Sequence, residues 1–296
     1  MAAEQILQYI FSGITIGSIY AIVAIGFNII YNATGIINFA QGEFVMLGGM
    51  ISFSLNLVLP LPLAIIGAVI ITVLIGSALE ITLFRPLKHP SILRMIVITI
   101  GLSIVIREAA LHIWDEKVRA LPFFTGSEVT SVTILGAHVS PQVFWVLGAT
   151  GLIVIGLTLF FKYTLTGKAM RACASNSIAA GLCGIKTRVM TNAAFMVSAG
   201  IGAIAGCVVS PLTQTHYDMG TGLAIKGFTV AIFGGIGNSV AAVAAGLLLG
   251  LLEAFSISIL PMAYKDVIAI SILLLVLFIK PSGLFGSSEA SALKEF

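Results

Sequence analysis

Several polar residues with the capacity to bind a solute lie in one stretch of an otherwise apolar region, residues 32–47, NATGIINFAQGEFVML. Asn38 and Gln41 supply amide groups and Glu43 supplies a carboxylate, and such groups can bind a small polar solute or cap a helix. At a helix N-terminus, Glu43 would also meet the positive end of the helix dipole, so capping is its simplest structural role. The stretch therefore predicts either part of a solute path or a set of polar turns between helices.

A second stretch that is rich in glycine and carries polar residues lies at 226–246, KGFTVAIFGGIGNSVAAVAAG, and contains Asn238 as a further candidate path residue. In the first stretch, Gly35 and Gly42 are predicted to break the helix. Two glycine-interrupted segments in corresponding halves of a membrane chain point to a transport path and to a degenerate internal repeat with half-helices. Simple connecting turns are the alternative for each segment taken alone.

No enzyme motif accompanies these polar residues. The sequence lacks the HExxH pattern of zinc hydrolases, a GxSG serine nucleophile pattern and the GxxxxGK[ST] loop that binds ATP. Cys173, Cys183 and Cys207 form no CxxC pair, and their odd number argues against a disulfide framework. We therefore predict no catalytic, cofactor-binding or metal-binding residue and no enzyme activity, and the chain cannot itself hold ATP in the manner of that loop.

The composition predicts a membrane protein. Of the 296 residues, 58% are hydrophobic and 9% are charged, and the mean hydropathy is +1.12, whereas soluble domains carry about 25% charged residues. Charge-free runs such as 44–79 are long and continuous, unlike the alternating strands of a barrel. We expect an all-α polytopic protein in contact with lipid, multi-pass in the cell (inner) membrane. The net charge of +3 comes from basic loops and does not suggest binding to nucleic acid.

The apolar runs predict a bundle of eight or nine transmembrane helices, and the number depends on whether the short segment near 222–236 crosses the membrane. The opening residues MAAEQ lack the basic region of a cleaved signal peptide, so the first span is expected to remain. GxxxG pairs in several runs predict close helix packing. The spans are expected at about 6–31, 43–59, 62–84, 94–114, 142–161, 189–210, 222–236, 239–258 and 264–280.

Charges in the loops predict the orientation of what we expect to be a single transmembrane domain, residues 1–296. The segments 85–94 and 162–188 carry basic residues without an acid, whereas 115–140 mixes both signs. The positive-inside rule then places 85–94 and 162–188 in the cytoplasm and 115–140 outside. Lys280 places the C-terminal tail inside if the 222–236 segment crosses.

Four further ionisable residues occur in apolar runs, each toward a predicted span end: Glu80, Arg107, Glu108 and Glu253. Side chains at span ends reach the interface at low cost, so we interpret these residues as interfacial anchors. A secondary transporter coupled to ions usually needs carboxylates near the middle of the membrane. The lack of such carboxylates, apart from Glu43, argues against that class.

The long loop 166–188, TGKAMRACASNSIAAGLCGIKTR, is predicted to form a short helix because it is rich in alanine between two glycines. Its apolar residues recur at helical spacing on one side, and they are Met170, Ala174, Ile178 and Leu182. Such an exposed amphipathic helix needs the lipid interface or the groove of another protein as its partner. The small size of these side chains favours a protein groove.

Three segments resemble the permeases of the branched-chain amino acid ABC transporter family, and in particular the LivH-type subunit. They are GSIYAIVAIGFNIIYNATGIINFAQGEFVMLGG at 17–49, GKAMRACASNSIAAGLCGI at 167–185 and IKGFTVAIFGGIGNSVAAVAAGLLLG at 225–250. The resemblance implies that the segment 167–184 inserts into a groove on a separate ATPase. The docking residues would be Gly167, Arg171, Ala174, Asn176, Ile178 and Gly184.

The resemblance also implies the partners and the substrate. The partners would be a LivM-like permease, two ATP-binding subunits and an extracytoplasmic solute-binding protein, and the substrate would be a branched-chain amino acid or a related small polar solute such as an amide or urea. The chain would then be a permease subunit of an ABC importer that forms part of the translocation path. A self-sufficient secondary transporter or channel for small solutes is the alternative.

Overall fold

A computed structural model describes residues 3–87, 91–127, 129–134, 136–258, 261, 264–280 and 283. In these residues the chain forms eleven α-helices and one β-hairpin, so the all-α class is confirmed. A π-helical turn, Glu80–Phe84, extends the third helix. The elements are α1 (Ala3–Thr34), α2 (Gln41–Asn56), α3 (Leu61–Leu79), α4 (Ile92–Trp114), β1 (Val132–Ile134), β2 (Ala137–Val139), α5 (Gln142–Tyr163), α6 (Leu165–Ser175), α7 (Ser177–Leu182), α8 (Thr187–Thr213), α9 (Met219–Gly234), α10 (Ser239–Ser256) and α11 (Lys265–Ile279).

Six of the described helices are long and apolar enough to cross a membrane: α1, α3 with its π-helical turn, α4, α5, α8 and α10. The multi-span class is thereby confirmed. The helices α2 and α9 have 16 residues each and α11 has 15, fewer than the roughly 20 that a full crossing needs. The predicted number of eight or nine crossings therefore stays a prediction.

The centre of the bundle is formed by α1, α2, α8, α9 and α10. The GxxxG residues of α1 and α10 face each other, so that a Cβ atom on Gly17 would lie 2.8 Å from the Cα of Leu247. Likewise, a Cβ atom on Gly246 would lie 2.7 Å from the carbonyl oxygen of Gly17. Glycine at these positions lets the two backbones touch, as the GxxxG spacing predicts.

The outer helices expose large apolar side chains. Leu74 of α3, Val105 of α4, Leu152 of α5 and Leu274 of α11 are each at least 60% exposed. A soluble protein rarely leaves apolar surface of this extent uncovered. These faces fit contact with lipid hydrocarbon.

Two polar contacts define the ends of the bundle. At one end, here called the hairpin end, Gln8 of α1 donates a hydrogen bond to the carbonyl of His138 in β2 at 2.9 Å. At the other, the α6–α7 end, Asn32 donates to the carbonyl of Gly237 at 2.8 Å. The hairpin end contains the loop that the charge pattern places outside, and the α6–α7 end contains the loop that it places in the cytoplasm. Lys88 and Glu128, which contribute to that pattern, lie outside the described residues.

Candidate functional site

The stretch between α1 and α2 re-enters the bundle. Gly35, with φ of +70°, ends α1 as predicted from the sequence. The side-chain oxygen of Asn38 accepts a hydrogen bond from the backbone N–H of Ala40 at 3.1 Å, and α2 begins at Gln41. The prediction that Gly42 also breaks the helix is wrong, because Gly42 lies in the first turn of α2. Its role is close packing rather than backbone freedom.

Gln41 is fully buried between α1, α2 and α8. Its side-chain oxygen accepts a hydrogen bond from the hydroxyl of Ser198 at 2.6 Å, and its amide nitrogen lies 3.3 Å from the Ser198 carbonyl. The Ser198 hydroxyl is also 2.9 Å from the carbonyl oxygen of Gly26. A Cβ atom on Gly26 would collide with the Gln41 amide. Gln41 therefore joins α2 to α8 in the interior of the bundle, next to α1.

Glu43 is fully buried where the first turns of α2 and α9 meet. One carboxylate oxygen accepts a hydrogen bond from the Ser103 hydroxyl of α4 at 2.8 Å. The other faces α9, since a Cβ atom on Gly220 would lie only 2.5 Å from it. Within the described residues, this second oxygen has no hydrogen-bond partner, and neither has the buried side-chain nitrogen of Asn38. Two helix N-termini therefore lie beside one buried carboxylate.

Asn238 lies apart from the other three candidate path residues. Its side-chain oxygen caps α10 by accepting from the backbone N–H of Ala241 at 3.0 Å. It lines a cavity of about 860 Å³ at the α6–α7 end, together with Arg171 and Ala174 of α6. The structure thus brings Asn38, Gln41 and Glu43 together and places Asn238 next to the predicted docking segment.

The predicted docking segment forms two helices rather than one. The Thr164 hydroxyl accepts from the backbone N–H of Gly167 at 2.9 Å and caps α6. The Asn176 side chain accepts from the backbone N–H of Ala179 at 2.9 Å and caps α7. Gly184, with φ of +84°, follows the end of α7. The prediction of a single helix is wrong because Asn176 takes up an extended conformation and starts a new helix instead of continuing the first.

The break at Asn176 also divides the predicted apolar stripe. Met170 is buried in the bundle, whereas Ile178 is 80% and Leu182 86% exposed. The single four-residue stripe is therefore a wrong prediction, and its two large exposed side chains, Ile178 and Leu182, lie on α7. The remaining docking residues are exposed, except for Gly167.

Gly167 packs α6 onto the end of α5. A Cβ atom there would collide with the carbonyl oxygen of Phe160 and would lie 2.8 Å from the Cα of Phe161. The close approach requires glycine and fixes the angle at which the docking segment leaves α5. Gly167 thus positions the docking segment against the end of α5.

Two residues that the sequence assigned to interfacial anchoring are buried and bonded instead. Glu80 accepts a hydrogen bond from the Asn192 side chain at 2.9 Å and lies 3.5 Å from Arg85. Glu253 is fully buried and accepts from the Tyr20 hydroxyl at 2.8 Å. For these two, the anchoring interpretation is wrong. For Glu253, the sequence could have predicted an orientation toward α1, because Gly246, Gly250 and Glu253 follow the i, i+4, i+7 spacing of one helix face.

In the part of the chain that the structure describes, no group of His, Cys, Asp and Glu is arranged to hold a metal ion. The three cysteines are present as thiols.

The known proteins whose sequences are similar to this chain are transport permeases. Residues 9–277 match the family described as "Branched-chain amino acid transport system / permease component". The chain is 34% identical over 297 residues to the high-affinity branched-chain amino acid transport system permease protein BraD of Pseudomonas aeruginosa, with 96% of each chain covered. It is 33% identical over 303 residues to the corresponding protein LivH of Escherichia coli K12, again with 96% of each chain covered. A probable branched-chain amino acid transport permease protein, LivH, of Methanocaldococcus jannaschii is 24% identical over 292 residues.

Proposed function

We propose that this chain, which belongs to the family of branched-chain amino acid transport permease components, carries branched-chain amino acids across the membrane. The chain is a multi-pass membrane permease of an ABC import system. We propose that it forms half of the translocation path with a LivM-like permease. Two ATP-binding subunits would supply the energy, and an extracytoplasmic solute-binding protein would deliver the solute.

The observation that supports the ATP-binding partners is the uncovered surface of α6 and α7. Arg171 and Ala174 of α6 and Ile178 and Leu182 of α7 are exposed, and these helices lie beyond the end of α5. Exposed Ile and Leu side chains next to a basic residue favour the groove of another protein over water. Because α6 packs closely on α5 at Gly167, a movement of the bound ATP-binding subunit would be transmitted through α6 to the bundle.

The observation that supports the path is the junction of α2 and α9 at Glu43. Each helix is shorter than a full crossing, and the two begin beside each other inside the bundle. In transporters, solute sites occur where half-helices begin within the membrane. Asn38 and Gln41 lie just before and at the start of α2, and the bonds from Gln41 to Ser198 would represent a closed state. Alternating access would require these contacts to rearrange.

The experiment that tests the docking surface is the substitution Ala174→Glu. A carboxylate at this site would be buried without a partner in the ATPase groove, which costs several kcal/mol. A loss of about 2.7 kcal/mol weakens binding roughly a hundredfold. We expect the variant to insert into the membrane normally, to lose its ATP-binding subunits on purification and to lose uptake. Ile178→Glu should behave in the same way.

Val129→Glu is the matched control, because Val129 is 91% exposed in the loop at the hairpin end. It introduces the same charge on the opposite side of the protein and should leave co-purification unchanged. If the Ala174→Glu and Ile178→Glu variants retain their ATP-binding subunits at the wild-type level, the docking proposal is refuted. Uptake in vesicles that needs an ion gradient but no ATPase would then favour the self-sufficient secondary transporter.

A further inference from the structure

A lysine, a tyrosine and a glutamate meet inside the bundle, outside the junction described above. The ammonium group of Lys226 in α9 lies 3.0 Å from the Tyr20 hydroxyl of α1 and 3.3 Å from a carboxylate oxygen of Glu253 in α10. The Tyr20 hydroxyl donates to the other carboxylate oxygen at 2.8 Å. The three side chains therefore form one closed network across three helices.

This network lies within the membrane-spanning part of the protein. Tyr20 is near the middle of α1, the longest described helix with 32 residues, and Lys226 is near the middle of α9. The neighbours of Lys226 along α9 include the buried residues Ala224 and Val230. Charged side chains at such depth are expensive and usually serve a function.

Lys226 belongs to an open face of α9. Asp218, the residue that immediately precedes α9, and Gly222, Ile225 and Lys226 within it follow the i, i+4, i+7, i+8 spacing of one helix face. Ile225 is 48% exposed, the Lys226 side chain is 16% exposed, and a Cβ atom on Gly222 would meet no atom within 4 Å. We call these four residues the α9 face. One turn further along, at Thr229, the helix is buried again.

The α9 face does not suit lipid. Leu152, Ile155 and Leu159, which are exposed on the second half of α5, are all apolar. By contrast, the α9 face carries an ammonium group and a carboxylate. The Lys226 side chain is 16% exposed and its ammonium contacts Glu253 and Tyr20, so the open part of this face, at Gly222 and Ile225, adjoins a charged group for which contact with hydrocarbon is costly.

We propose that Lys226 binds the carboxylate of the transported solute and that Tyr20 and Glu253 are positioning residues that hold its ammonium group at the α9 face. The ammonium of Lys226 would add the solute carboxylate to the contacts that it makes with Glu253 and Tyr20. The exposed side chain of Ile225 beside it is suited to an aliphatic chain, so the pair matches a branched-chain amino acid. This inference rests on the proposed function and assigns a binding residue for its substrate class.

The test is the double substitution Lys226→Met with Glu253→Gln. It removes both charges together and keeps the volumes, which is often neutral for stability because no buried charge is left alone. We expect the complex to assemble and its ATPase to respond to leucine-loaded binding protein. Uptake of radiolabelled leucine into proteoliposomes should fall at least about tenfold, since a charge-assisted contact is lost. Lys226→Arg, which keeps the positive charge, should retain more uptake than the double variant.

Glu80→Gln with Arg85→Met is the matched control, because it removes another ion pair, at the α6–α7 end, and should keep wild-type uptake. If the double variant at Lys226 and Glu253 transports leucine at the wild-type rate, the network has a structural role only and the proposal is wrong. If wild-type complex itself fails to import leucine with ATP and binding protein, the proposed function is wrong instead. The two failures are therefore distinguishable.

A second measurement covers the case in which the double variant does not assemble. In a variant without native cysteines, Ile225→Cys should react with a membrane-impermeant thiol reagent. The rate of this thiol modification should differ between the resting complex and the complex that is importing leucine. Leu152→Cys, on the lipid-facing side of α5, should not react. An Ile225→Cys thiol as unreactive as the one at 152 would show that no aqueous path reaches the α9 face, and the proposal would be refuted.

Discussion

Gly42 and Gly220 face each other as the second residues of α2 and α9, and neither position has room for a side chain. A Cβ atom on Gly220 would lie 2.9 Å from the carbonyl oxygen of Gly42, and one on Gly42 would collide with the carbonyl of Gly220. The two helices then run to opposite ends of the bundle. Ser54 of α2 accepts a hydrogen bond from the Trp114 indole at 2.6 Å at the hairpin end, whereas α9 ends near Gly237. Their common starting point is the centre of the predicted path.

Substituting Gly42→Ala should therefore destabilise the permease. The added methyl group forces the first turns of α2 and α9 apart, and such overpacking typically costs about 1–3 kcal/mol. We expect a lower melting temperature in detergent and a smaller yield of assembled complex, measured by thermal unfolding and size-exclusion chromatography.

Gly101→Ala is the control for that substitution, because a Cβ atom on Gly101 of α4 would meet no atom within 4 Å. It should leave the melting temperature unchanged or raise it slightly, since alanine favours helix more than glycine. Equal melting temperatures for the Gly42→Ala and Gly101→Ala variants would contradict the close contact between α2 and α9.

Much of the fold follows from patterns that lie close together in the sequence. The apolar runs and the GxxxG pairs predict where the helices lie and how α1 meets α10. Gly35 could be predicted as a helix end because a glycine after an apolar run favours a left-handed cap. Gly42 could not be assigned correctly, because its reason is Gly220, which lies far away in the chain.

The candidate site depends on contacts between distant segments for the same reason. Gln41 and Ser198 are 157 positions apart, and Tyr20 and Glu253 are 233 apart. No local spacing links them, so the sequence could indicate that Gln41 is unusual but not what it binds. The carboxylate of Glu253 looked like an anchor because it lies near the end of α10. Its orientation toward α1 is decided by helix packing.

The pair Gln41→Leu with Ser198→Ala tests whether Gln41 serves passage or only packing. Replacing both partners of a buried hydrogen bond can be nearly neutral for stability, because neither polar group is left alone. We expect the double variant to assemble with its ATP-binding subunits but to import leucine several-fold more slowly, as measured in proteoliposomes. Wild-type uptake by the assembled double variant would show that the two side chains only hold α2 against α8.

The three cysteines should react with maleimide in a fixed order. Cys183 is exposed after α7 and should be labelled first, from the side that the charge pattern assigns to the cytoplasm. Cys207 is fully buried and should not react in the folded protein. Mass spectrometry of inside-out and right-side-out vesicles can count the adducts. Faster labelling of Cys183 in right-side-out vesicles would reverse the orientation.

Cys173 should show a distinct dependence on pH. Burial raises the pKa of the Cys173 thiol above its ordinary value. The reactive form is the thiolate, so a raised pKa lowers the reactive fraction at neutral pH, and that fraction grows as the pH rises through the alkaline range. The reaction of Cys173 with maleimide should therefore be slow near pH 7 and become faster as the pH rises. Its rate can be measured by quenching the labelling reaction at successive times. A rapid rate that does not change with pH would contradict its burial in α6.

Asn176 forms the break in the docking segment between α6 and α7. Asn176 ends α6 and caps α7 through the backbone N–H of Ala179, so Asn176→Ala should free the first turn of α7 at a cost of about 1 kcal/mol. The exposed side chains of Ile178 and Leu182 would then lose their fixed position, and the affinity for the ATP-binding subunit should fall several-fold. Asn176→Ser keeps a capping oxygen and should retain most of the affinity, whereas a role for the amide in direct contact would make Ser as damaging as Ala. Titration of purified permease with ATP-binding subunit separates the two. If the Asn176→Ala variant binds as tightly as wild type, the geometry of the α6–α7 break is not what the partner recognises.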